Sequence, residues 1–256
     1  MSDCCCCCCK CPKKSETKEP SPVITPLPIP NTQGFTTSSF VKEKLWNCSL
    51  PTQDPSSSSP KVKTITFPEL ETYSDENYKI TPIGIEMYGP VGGVTTPNSK
   101  NPRCEFRELN KDGSKASWDT TKGEHTIDYV FSVLSLPQKK PEVCVVQVHD
   151  LKDDIFEVRV EGKKVVVEGE CLKNLYGDGK NVFMTNLEMN KPYKVQLKIK
   201  DGKCTIAIEN TVVVFNVRTK GCYFKAGCYT QANLSNDVLG SKGGILVSHL
   251  SVNHVY

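Results

Sequence analysis

A chain of 256 residues, 38% hydrophobic and 24% charged, has the makeup of a soluble globular protein, and its length suits one domain with a large core plus a tail. A formal net charge of +3 is too small to indicate nucleic-acid binding, which calls for a clearly basic patch, although a polyanionic ligand needs only local positive charge. No run is long enough for a transmembrane helix, and the N-terminus lacks the basic-then-apolar order of a secretory signal, so export by the standard route is not expected.

Residues 1–37 read as an unfolded tail. Residues 4–9 are an uninterrupted run of cysteine, followed by Lys10, Cys11, Pro12, Lys13 and Lys14. Four readings of the run compete: S-acylation beside basic residues, soft-metal binding, a redox-active end, and plain low complexity. Myristoylation is excluded, because position 2 is Ser. Pro20, Pro22, Pro26, Pro28 and Pro30 follow at mostly alternate positions, which favours an extended polyproline-like linker. A folded domain is therefore expected over residues 38–256. Its seven cysteines are odd in number and form no C-x-x-C pair, so they read as buried free thiols rather than zinc ligands.

From about residue 61 the signals are those of strands and turns. KVKTITF, HTIDYVFSVL, EVCVVQVH, IFEVRV, KVVVEGE, YKVQLKIK, KCTIAIEN and VVVFNV are β-branched or alternating runs. Tight turns separate them, notably at Glu161-Gly162-Lys163 and Asp201-Gly202, and no long helical period is present. The class this predicts is all-β, with two antiparallel sheets packed face to face.

Three segments alternate in an unusual way. In residues 223–231, YFKAGCYTQ, the residues Tyr223, Lys225, Gly227, Tyr229 and Gln231 share one parity, while Phe224, Ala226 and Cys228 share the other. Arg103, Glu105 and Arg107 alternate with Cys104 and Phe106, and Gln147 and His149 with Val146 and Val148. If the three strands are neighbours, one face becomes a cationic, hydrogen-bonding groove with a histidine and tyrosines able to carry protons.

RCEFRE, QVH and YFKAGCYTQ resemble, in order and separation, the three motifs of polysaccharide lyase family 7, the alginate lyases. The likeness extends to LWNCSLP at 45–51 and to GGVTTPNSKNPRCEFRE at 92–108, and covers roughly residues 38–256. The resemblance implies a β-jelly roll with a concave substrate groove and an endolytic lyase acting on alginate, an acidic polysaccharide. No cofactor and no metal are expected, and the chain is expected to be a monomer. Cys104, Phe106, Cys228 and Thr230 depart from the usual pattern, the first three on the apolar parity.

Cutting a polyuronate by β-elimination requires neutralisation of a carboxylate as the carbon-5 proton leaves, and one positioned donor is worth roughly 2.7–4 kcal/mol in a dry site. Arg103 and Gln147 suit that role, which the matching family positions carry. His149, whose type has a pKa of about 6.5, suits the base, and Tyr229, a phenol of about 10, the acid. In the family, tyrosine is thought to serve as both base and acid on mannuronate, and histidine as base on guluronate. Arg107, Tyr223, Lys225 and Gln231 are assigned to substrate binding, and Glu105 to orienting the flanking arginines. Val148 in the Q-x-H motif implies a preference for mannuronate.

Two alternatives remain: a lyase on another polyuronate such as glucuronan, and a jelly-roll lectin that binds acidic polysaccharide without cutting it. His149 and Tyr229 together favour catalysis, since a lectin needs neither. The substrate class lies outside cells or in walls, so a virus-encoded or lysis-released enzyme fits the missing signal.

Overall fold

The structure, a computed structural model, describes residues 39–256. The cysteine run and the proline-rich segment, with the tail boundary and S-acylation read from them, lie outside the described residues. Sixteen strands follow one short helix, α1 (Ser39–Lys42). They are β1 (Trp46–Gln53), β2 (Val62–Thr66), β3 (Tyr78–Thr81), β4 (Gly84–Pro90), β5 (Arg103–Glu108), β6 (Trp118–Asp119), β7 (Glu124–Ser135) and β8 (Glu142–His149). The second half contains β9 (Asp154–Glu161), β10 (Lys164–Glu168), β11 (Lys180–Met184), β12 (Pro192–Lys200), β13 (Lys203–Ile208), β14 (Thr211–Asn216), β15 (Lys220–Thr230) and β16 (Lys242–Val255). No helix among the described residues is long and apolar enough to cross a membrane.

The strands form two antiparallel sheets, the all-β sandwich expected of a jelly roll. One runs β11-β10-β9-β8-β15-β5-β1-β2, with β6 pairing β15 at its end; the other runs β14-β13-β12-β7-β16-β4-β3. Alternation explains their packing. In β12, Tyr193, Val195, Leu197 and Ile199 are buried, while the intervening Lys194, Gln196 and Lys198 face outward. Trp46, Phe106, Val148, Phe156 and Phe224 from the first sheet meet Tyr78, Met87, Phe131, Leu197 and Ile245 from the second in one core. Each such side chain contributes about 1.5–3 kcal/mol when buried.

Each of the eight runs read as strands in the sequence contains one. The longest strand, β16, is absent from those runs, as are the shorter β3, β4, β6 and β11. Gly243 and Gly244 look like a turn, yet they open a strand at the middle of the second sheet. A Cβ on Gly243 would lie 2.4 Å from Val143 Cγ1 and 2.6 Å from Thr230 Oγ1, so glycine here lets the two sheets approach.

The described cysteines are free, and all but the half-buried Cys171 are fully buried. Burial pushes the thiols of Cys222 and Cys228 up to about 12, which keeps them protonated.

Candidate active site

The three motif strands are adjacent, with β15 between β8 and β5. Tyr223 lies opposite His149, Lys225 lies between Gln147 and Arg107, and Tyr229 lies opposite Arg103. The polar parity of all three strands thus collects on one face, away from the core holding Cys104, Phe106, Val148, Phe224 and Cys228.

Glu105 is the hub of this face. Only 2% exposed, it pairs with Lys225 Nζ at 2.5 Å and Arg103 Nη1 at 3.1 Å, and accepts from Gln147 Nε2 at 2.5 Å. Burial raises its carboxyl's pKa, but the opposing Lys225 and Arg103 charges outweigh this and hold the group below its ordinary range. Of the two flanking arginines that Glu105 is expected to orient, only Arg103 pairs with it. Arg107 instead lies over the Tyr223 ring, 3.9 Å from its centroid, and Lys225 takes the second ion pair. Lys225 is consequently buried, its ammonium committed beneath the groove rather than open to it.

His149 stacks on Tyr223 with ring centroids 5.1 Å apart, and its Nδ1 lies 2.7 Å from the Asp150 carbonyl. A carbonyl only accepts, so Nδ1 carries the proton and Nε2 keeps its lone pair in the neutral ring. Burial, reinforced by the Lys225 charge, moves the imidazole's pKa below its ordinary value, so the neutral form prevails at neutral pH. Tyr229 has Arg103 3.6 Å above its ring centroid, and its Oη lies 3.1 Å from Ser99 Oγ. Burial raises the phenol's pKa despite the pull of Arg103 and Ser99, so it rests protonated. A neutral base and a protonated acid share one floor.

Two departures from simple alternation shape the ends of this row. Between Ala226 and Tyr229 the register with β8 slips, and Gly227 takes φ +138 at the slip. A Cβ there would lie 2.7 Å from the Cys104 carbonyl oxygen, so glycine is required where β15 bulges. A second slip at Val145 places Cys144 opposite both Tyr229 and Arg159, and the charges acting on it are Glu157, Glu105, Arg159 and Lys225. Strict parity assigns Cys144 to the core, and the bulge moves it to the polar side. Gln231 lies just past the end of β15, buried, with its amide donating to the Tyr229 carbonyl at 3.3 Å.

The sequence reading missed three groups. Ser99 sits in the loop before β5, where no periodicity marks it. Beyond β8 the same face continues into Glu157 and Arg159 of β9; burial and the nearby Asp154 push Glu157 up to about 7, and Arg159 pairs with Glu142 at 2.6 Å and Glu168 at 2.7 Å. Their alternation with Val158 and Val160 resembles that of any half-exposed strand. The arginines expected to receive anions keep free donors: Arg103 Nε and Arg107 Nη1 are buried without a hydrogen-bond partner.

The family model described as alginate lyase matches residues 42–254. Among curated proteins none matches. Among solved structures, the alginate lyase AlgAT5 from polysaccharide lyase family 7 is similar at 32% identity and a TM-score of 0.77, over 87% of this chain and 100% of that one. The alginate lyase from Corynebacterium sp. follows at 28% identity and 0.75, over 86% of this chain and 98% of that one. A family 7 alginate lyase, A1-II', in complex with a product (GGG) shares the fold at 22% identity and 0.69, over 83% and 96%.

Proposed function

The chain belongs to the alginate lyases of polysaccharide lyase family 7, and from that membership we propose that it cleaves mannuronate-rich alginate by β-elimination at the 4-O-glycosidic bond. It is a polysaccharide lyase acting on alginate; the bond chemistry, the block preference and the residue roles are the proposal. The observation that carries it is the joint placement of His149, whose Nδ1 faces a carbonyl, and Tyr229 on one floor, beside the anion donors Arg103 and Gln147 that Glu105 holds.

In this reading a uronate lies over the row formed by Arg107, Lys225 and Gln147. The guanidinium of Arg103 and the remaining amide proton of Gln147 receive its carboxylate, which becomes a dianionic enolate as the carbon-5 proton leaves. Glu105 holds both donors before substrate arrives, so little reorganisation accompanies the charge shift. Lys225 offsets the Glu105 charge and keeps the floor from repelling a polyanion. On guluronate, His149 Nε2 takes the carbon-5 proton. The electron pair forms the double bond between carbons 4 and 5, the bond from carbon 4 to the bridging oxygen breaks, and Tyr229 delivers its proton to that oxygen. On mannuronate, where proton and leaving group share one side, Tyr229 in its phenolate form takes the first proton and returns it to the oxygen. Arg107 and Tyr223 hold neighbouring sugars through charge and ring contact.

The test is to incubate the protein with polymannuronate, polyguluronate and polyglucuronate and to follow the ultraviolet absorbance of unsaturated uronate ends. A larger kcat/KM on polymannuronate is expected. A clear guluronate preference refutes the block assignment, activity on polyglucuronate alone refutes alginate, and binding without absorbance on any polymer returns the lectin reading.

A further inference from the structure

Tyr229 Oη meets a hydroxyl that lies outside the three motif strands. Ser99, in the loop between β4 and β5, places Oγ 3.1 Å from that phenol. The same Oγ accepts from the Asn101 backbone N–H at 3.1 Å and lies 3.1 Å from the Asn101 carbonyl oxygen. The loop is tied down around it. Ser99 N–H donates to the Thr96 carbonyl at 3.0 Å, Val94 N–H to the Pro51 carbonyl at 2.9 Å, and Asn233 Nδ2 to Asn101 Oδ1 at 2.8 Å.

Counting protons assigns these bonds. A serine hydroxyl has one proton and two lone pairs. One lone pair receives the Asn101 N–H, and the Asn101 carbonyl can only accept. If the Ser99 proton points at that carbonyl, the second lone pair is left for the Tyr229 O–H. If the phenol has lost its proton, the arrangement must reverse, because a phenolate accepts only. The Ser99 proton then turns to Tyr229 Oη, and the Asn101 carbonyl gives up that bond.

We propose that Ser99 is a positioning residue for Tyr229, its hydroxyl switching from acceptor to donor as the phenol ionises and so raising the phenolate fraction available to take the carbon-5 proton of mannuronate. This rests on the reading above, in which Tyr229 moves both protons on that block. The balance is simple. The phenol's first proton goes to solvent, the phenolate takes the substrate's carbon-5 proton, and that proton then passes to the departing oxygen, which regenerates the phenolate. A charge-assisted bond from Ser99 supports the phenolate at the start and end of the cycle. Ser99 and Arg103 are the groups pulling the phenol's pKa down against its burial.

The experiment is the pH profile of kcat/KM on polymannuronate for the wild-type chain and for Ser99→Ala, Ser99→Thr and Tyr229→Phe. Loss of one hydrogen bond to a charged oxygen should move the rising limb of Ser99→Ala alkaline by about one pH unit, costing about tenfold at neutral pH and recovering on the alkaline side. Ser99→Thr keeps a hydroxyl and should retain the wild-type limb. A Ser99→Ala limb in the wild-type position overturns the inference whatever the absolute rate. An equal shift in Ser99→Thr also overturns it, because loop geometry rather than the hydroxyl would then be responsible. Tyr229→Phe separates the two levels: an active phenylalanine variant removes the tyrosine mechanism itself, whereas an inactive one with an unmoved Ser99→Ala limb removes Ser99 alone.

Discussion

His149 and Tyr229 reach their resting states by the same cause acting on opposite charge types. Burial disfavours the imidazolium of one and the phenolate of the other, which favours a neutral imidazole able to accept a proton and a neutral phenol able to donate one. Tyr229→Phe removes only the phenolic oxygen and keeps the ring that Arg103 covers. Turnover should fall by roughly 10²–10⁴-fold on both blocks, the usual scale of general acid–base catalysis, with binding by calorimetry nearly unchanged. A variant within a few-fold of wild type would take this tyrosine out of the mechanism. His149→Ala should keep appreciable activity on polymannuronate and lose more on polyguluronate. Because the imidazole titrates below its ordinary value, the wild-type chain should still hold a working base on polyguluronate under mildly acidic conditions, where a histidine of ordinary pKa would be protonated. Equal losses on both blocks would contradict the division of roles.

At the scale of the elements, the strand carrying Lys225 and Tyr229 is held from below by a group in the first motif. Glu108, at the end of β5 and 1% exposed, accepts the Phe224 N–H at 2.8 Å and the Trp118 Nε1–H at 3.0 Å, and meets His254 Nε2 at 2.5 Å. His254 Nδ1 lies 2.7 Å from His125 Nδ1, whose Nε2 faces the Lys122 and Asp119 carbonyls. Those carbonyls fix the His125 proton on Nε2, so His254 Nδ1 must donate, and a further proton lies between His254 Nε2 and Glu108. The cluster joins β5, β6, β7, β15 and β16 across both sheets. Glu108→Ala strands two buried donors, the Phe224 N–H and the Trp118 Nε1–H, which should cost about 2–6 kcal/mol in denaturant unfolding. A loss below about 1 kcal/mol would show that water replaces the carboxylate at little cost. Alternation within RCEFRE exposed the groove side of β5, but nothing local announces that Glu108 meets residues 125 and 254. The same limit hid Ser99, the Val145 bulge and β16. Periodicity reports which face a side chain takes within one strand. Partners across the sandwich, register slips and loop contacts are set by tertiary closure. Neighbouring motif strands were legible because each carries the same rare polar parity, and a sheet that buries its other face must collect them.

For the whole molecule, the described residues close both sheets, and every group assigned to the chemistry lies between Ser99 and Tyr229. A chain beginning at residue 38 should therefore retain the catalytic domain. The charge balance supports the same expectation for substrate capture. Residues 1–37 hold four lysines, Lys10, Lys13, Lys14 and Lys18, against Asp3, Glu16 and Glu19, so removing them changes the formal net charge from +3 to +2. That difference is small for attraction of a polyanion, and surface charge of either sign is weakened by screening at physiological ionic strength. In the proposed function local charge captures the substrate, through Arg103 and Arg107 with their unpaired buried donors. Removing residues 1–37 should thus leave kcat on polymannuronate within about twofold of the full chain, and KM should move no further even at low salt, where any contribution from the lysines removed is largest. The measurement is steady-state kinetics of both chains at two ionic strengths, with unfolding midpoints as the control for folding. A shortened chain that folds as stably yet loses most of its turnover would place part of the active site in those residues and would overturn the division of the chain at residue 38.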